Sequence, residues 1–257
     1  MKKSRKPKRN NAFTKNYFFV LSLTILALGL IAFSDNYLFD IHQESNSDPF
    51  KVIHGLIMFS WYTILVIQTN HIRKLNVKAH KRLGLLGFGI AVLVVVSIAY
   101  LNYMDVSYAE LPFFGKANRI FFPVFILLLA LGYAQRNKPE LHKHAIFVGV
   151  LLMMEPLLSR VGMNTGTDAA VVAPIIWLIL WISLFVYDII RLRSLHFLTC
   201  SGLIFWFAVY AMVSLKTVVK KGLESISHGP VLFANFQSSK KRFSTGTSCV
   251  PGRNAPF

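Results

Sequence analysis

Two cysteines are all that the chain offers to thiol chemistry. Cys200 stands inside an apolar run and Cys249 in the tail, and they form neither a CxxC pair nor a disulfide framework. That excludes a small disulfide-stapled scaffold and a dithiol redox motif. Charge is scarce as well. Asp, Glu, Lys and Arg make up 15% of the residues, where soluble domains carry about 25%. Two zinc signatures are missing, since no HExxH and no HxxxH occurs.

Apolar residues fill the space that charge leaves. They make up 54% of the chain and give a mean hydropathy of +0.50. They are gathered into long continuous runs, which points to a multi-pass membrane protein. Only helices and closed barrels satisfy the backbone inside lipid, and runs without alternation favour helices. The fold class expected is therefore all-α, a polytopic transmembrane helical bundle. The net charge of +17 does not imply nucleic acid, because the basic residues flank apolar runs and form no single patch. The partners expected are the lipid bilayer and other proteins within it.

Seven runs lie near residues 17–34, 52–69, 84–101, 120–135, 145–159, 169–189 and 196–215. They define a seven-helix domain over 17–215, preceded by a basic arm at 1–16 and followed by a basic tail at 216–257. The tail is rich in Ser, Lys, Gly and Pro and reads as disordered. The first run could be a signal peptide ending near Ala32-Phe33-Ser34. Its length favours an uncleaved helix. Pro156 predicts a break in the fifth run just after Glu155, with carbonyls freed beside it.

Loop charge predicts the orientation. Segments 1–16, 70–83, 136–144 and 190–195 hold seven, five, three and two Lys or Arg. The alternate loops hold only Lys51, Lys116, Arg119 and Arg160, and the first of them is acidic, with Asp35, Asp40, Glu44 and Asp48. The N-terminus is therefore expected in the cytoplasm. Seven helices then put the tail outside, in tension with the seven basic residues it carries.

Ala79-His80-Lys81-Arg82-Leu83-Gly84 is a basic turn between two runs, and Leu141-His142-Lys143-His144 echoes it, a hint of internal duplication. His196 follows a third such turn, and Asp188 ends the sixth run. Imidazole is a common metal and haem ligand. His80, His142, Asp188 and His196 thus form one candidate metal set, with interfacial polar residues as the competing explanation. His142 and His144, two residues apart, cannot share a helical face. Lys81, Arg82 and Lys143 are accounted for by topology alone.

A second candidate group lies towards the opposite end. His54, Trp61 and Gln68 recur every seven residues, so they share one stripe and should face the bundle. Gly55 beside them would admit another backbone. Glu155 is an ionisable group inside an apolar run, costly unless paired. His54, Arg119 and Arg160 are its expected partners. His54, Trp61, Gln68, Glu155 and Arg160 together form a candidate cofactor, quinone or proton site. Interhelical bonding and a structural ion pair are the alternatives.

The order His54-Gly55, Trp61, Gln68, His80 to Gly84, His142-Lys143, Arg160, Tyr187-Asp188 and His196 resembles a family of bacterial multi-pass inner-membrane proteins of uncharacterised function. Its pattern is HG…W…Q…HR-x-LG…HKR…R…YD…H, and the resemblance covers about residues 50–200. It implies a location in the bacterial inner membrane. His144 stands where that pattern has Arg, and the tail matches nothing in it. Three functions stay open: a non-catalytic scaffold, assembly or transport-related protein; a redox-associated protein binding haem, a metal ion or quinone; and a zinc-dependent membrane hydrolase.

Overall fold

Three helices of this chain begin at a side-chain cap, two of them ahead of where their apolar runs start. The computed structural model describes residues 12–104 and 107–243. Its helices are α1 (Ala12–Ala32), α2 (Pro49–Arg73), α3 (Val77–Tyr103), α4 (Phe113–Ala134), α5 (Pro139–Leu152), α6 (Glu155–Asn164), α7 (Ala169–Leu192) and α8 (Phe197–Phe243). Among the described residues there is no strand. Asp48 caps α2 by accepting from the Phe50 N–H, and Pro49 supplies its first residue. Asn76 and Asp168 cap α3 and α7 in the same way. Arg193 ends α7 in the left-handed region, at φ 60°.

Several helices extend past the apolar runs that announced them. The apolar run marks only the part of a helix that lipid would surround. Beyond it, Lys, Arg and Asn can continue the helix into the interface. His80 therefore lies in the first turns of α3, not in a loop, and His142 and His144 begin α5. The turn itself is Lys74 to Asn76, with Leu75 at φ 59°. Helix α1 starts inside the expected arm, and α8 passes the expected end near 215. Residues 1–11 and 244–257, the rest of the arm and of the tail, lie outside the described residues.

Six helices are individually long and apolar enough to cross a membrane, with α8 counted over Phe197–Lys220. Helices α5 and α6 meet at a 52° bend and together count as a seventh, broken span. The break falls at Met153 and Met154, just before Glu155 and Pro156. It frees the Leu151 carbonyl, which accepts from Trp177 Nε1 at 3.0 Å. This is how a membrane helix tolerates an interruption: a neighbour replaces the lost bond.

The chain divides into two compact units between Tyr210 and Ala211. In the first, α1 packs against α2, α6 and α7, α2 pairs with α3, α4 with α5, and α6 with α7. Helix α5 is central, buried at His144, Ala145 and Phe147 to Leu152. Small residues allow close helix approach, as membrane packing requires. A Cβ at Gly202 on α8 would come within 2.6 Å of Val148 and 2.8 Å of Trp181. Helix α3 is the outlier, with only 17% of its apolar window buried.

Candidate functional site

The described polar network with the deepest burial lies at the end where α5 and α8 begin and α7 finishes. We call this the basic end. His144 and Asp188 are both 0% exposed. His144 Nε2 lies 2.6 Å from Asp188 Oδ1, and His144 Nδ1 lies 2.6 Å from the Glu140 carbonyl. A carbonyl only accepts, so Nδ1 carries a proton. One further proton lies between Nε2 and Oδ1. On nitrogen it makes an imidazolium–carboxylate pair; on oxygen, a neutral pair. Asp188 Oδ2 also accepts from the Thr199 hydroxyl at 2.7 Å and the His196 N–H at 3.1 Å. Those two additional donors suit a carboxylate.

His196 lies with its ring stacked on His144, centroids 3.9 Å apart and planes 11° apart. Its Nδ1 accepts from the Leu198 N–H at 3.3 Å, so it caps the start of α8. Burial first, and then the neighbouring His144, push its pKa down to about 4. Lys143 pairs with Glu140 and donates to the Tyr187 hydroxyl. Its ammonium faces the Phe18 and Tyr187 rings at 5.1 and 4.8 Å. Tyr17 stacks on Tyr187 at 4.7 Å and shares a 2.9 Å hydrogen bond with Ser183. One polar and aromatic lattice thus ties α1, α5, α7 and the start of α8.

The four residues of the candidate metal set separate into two pairs of neighbours. Asp188 meets His196 through the backbone N–H. His80 instead faces His142, with ring centroids 6.3 Å apart, and His142 Nδ1 donates to the Gly132 carbonyl at 2.7 Å. Among the described residues, no group of three or more His, Cys, Asp or Glu is placed to hold a metal ion. His80 Nδ1 is buried without a hydrogen-bond partner, and so is Gln68 Oε1.

The stripe of α2 faces the bundle. Trp61 is buried, and Gln68 Nε2 lies against Gly84 and Gly87 of α3. His54 Nδ1 lies 2.9 Å from Ser97 Oγ, whose own proton goes to the Val94 carbonyl, so His54 is the donor. At Gly55 the close neighbour is the Tyr37 hydroxyl and not a backbone, which corrects the expectation. Glu155 accepts from Asn118 Nδ2 at 3.1 Å and from Ser159 Oγ at 2.6 Å. Its expected cationic partners are engaged elsewhere. Arg160 donates to Asn36 Oδ1 at 3.1 Å and covers the Phe33 ring, while Arg119 lies over Tyr103 and Tyr108.

Sequence reasoning kept His144 out of its metal set and gave Lys143 to topology, yet both lie at the centre of the lattice. The available signal was the Glu140-x-x-Lys143-His144 spacing, which puts acid and base one helical turn apart. Thr199 gave no signal of its own. No protein-family model matches the chain, and neither curated proteins nor solved structures give a match. The resemblance to bacterial inner-membrane proteins therefore rests on the ordered residues alone.

Proposed function

We propose that this integral membrane protein acts as a non-catalytic scaffold, assembly or transport-related component of the bacterial inner membrane, with its N-terminus in the cytoplasm. The carrying observation is the closure of the His144–Asp188 pair. All four of its ring-nitrogen and carboxylate-oxygen positions are taken by protein groups: Glu140, the two partners themselves, Thr199 and His196. Such a pair ties helices together and leaves no open position for a substrate. His54, Glu155 and Arg160 likewise bond to neutral side chains of the bundle.

One observation favours a second reading, a redox-associated protein. His80 and Gln68 offer buried, unpartnered atoms beside His142, where haem, a metal ion or a quinone could be held. A zinc hydrolase has less support, because Asp188 and His196 lie in a different cluster from His80 and His142. An absorbance spectrum with metal analysis of the detergent-purified protein separates the scaffold reading from the haem and metal readings. The scaffold reading predicts a colourless protein with metal well below stoichiometry. A Soret band or one metal per chain would overturn it.

A further inference from the structure

The hairpin of α2 and α3 carries a cleft that the lattice does not use. His71, Lys78 and Arg82 line it, together with Leu83 and Leu86. No Asp or Glu stands anywhere between Asp48 and Asp105, so the whole hairpin lacks an acid. Arg73, one turn away, is occupied by Asn70 and the Phe19 ring. Lys78 and Arg82 are exposed and have no ion pair among the described residues.

The cleft continues into an apolar track. On a 3.6-residue helix, Arg82, Leu86, Gly89 and Leu93 fall on one stripe. Leu86 and Leu93 are 57% and 52% exposed, and a Cβ at Gly89 would meet nothing within 4 Å. Basic side chains therefore sit directly above an open apolar face, on the least buried span of the bundle. A free anion would use the cations alone. A molecule with an anionic head and an acyl chain would use both.

We propose that this cleft is a binding site for one anionic phospholipid, its phosphate held by Lys78, Arg82 and His71 and its acyl chain laid along Leu86, Gly89 and Leu93. An exposed ion pair contributes up to about 1 kcal/mol, so removing two basic side chains should weaken binding by up to about thirtyfold.

The test is native mass spectrometry of the full chain in detergent, where no membrane surface potential contributes. It is titrated with phosphatidylglycerol, phosphatidylcholine or inorganic phosphate. The wild type should take up one phosphatidylglycerol at about tenfold or more lower concentration than phosphatidylcholine. Lys78→Gln with Arg82→Gln should abolish that preference. Lys74→Gln with Lys81→Gln removes the same charge from exposed positions beside the cleft and should keep it. Equal uptake of the two lipids, or loss of preference in both double variants alike, overturns the proposal. Displacement of the lipid by equimolar phosphate would assign the site to a free anion and overturns it too. So would a lipid-free dimer that Lys78→Gln with Arg82→Gln disrupts, because a second copy would then cover the cleft.

Discussion

The two ends of the bundle solve the same problem in opposite ways. At the basic end the core of the lattice pairs ionisable groups with each other: His144 with Asp188, and Lys143 with Glu140. At the other end Glu155, Arg160 and His54 are answered by neutral groups. Glu155 takes its bonds from Asn118 and Ser159, Arg160 gives one to Asn36, and His54 meets Ser97. A buried charge answered by a charge is strongly destabilised when one member is removed, because the other is left uncompensated. A charge answered by amides and hydroxyls loses ordinary hydrogen bonds instead. The comparison thus predicts unequal sensitivity at the two ends.

Asp188→Ala should produce the largest effect. It strands His144, Thr199 and the His196 N–H together and should cost about 3–5 kcal/mol, read as thermal unfolding in detergent. Asp188→Asn sharpens the point. A neutral His144 with its proton on Nδ1 could accept from the new amide, so this variant should be clearly more stable than Asp188→Ala. If the two are equally damaged, charge pairing does not explain the site.

Gly202→Ala comes next. Its Cβ would press on Val148 and the Trp181 ring, and overpacking of this kind costs about 1–3 kcal/mol. A neutral outcome in the same unfolding assay would show that α8 can move away from α5 and α7 freely. Glu155→Gln should cost less, about 1 kcal/mol, since the new amide oxygen still accepts one of the two bonds. A loss matching that of Asp188→Ala would abolish the contrast between the ends.

At neutral pH the weakest effect belongs to His196, and it grows only on acidification. His196 has its folded pKa at about 4, below the usual value near ~6.5. Above ~6.5 it is neutral whether folded or unfolded. As pH falls from there towards 4, the unfolded chain takes up a proton that the folded chain refuses, so stability declines. His196→Asn, which keeps a capping acceptor, should flatten that part of the stability–pH curve. An unchanged slope would show that His196 does not contribute to it.

The sequence announces the helices because apolar runs and loop charges follow from lipid solvation, a local property. Six spans and a broken seventh follow the runs closely, and Pro156 marks the break to within a few residues. Helix ends are less legible, because capping by Asp48, Asn76 or Asp168 looks in sequence like any polar loop residue. Partnerships are less legible still. His144 and Asp188 are 44 residues apart, and only the packing of α5 against α7 makes them neighbours. His80 carried the more conspicuous motif, yet its basic flank follows from topology. The less conspicuous His144, beside an expected topology lysine, became the centre.

The central claim is that His144 and Asp188 form a pair closed by the protein itself. A double-variant cycle between His144→Ala and Asp188→Ala tests it, with unfolding free energies measured in one detergent. Each single change should be severe. The double variant should be less destabilised than their sum, by about 0.5–3 kcal/mol. Strict additivity would contradict the claim, because it would mean that neither side chain depends on the other.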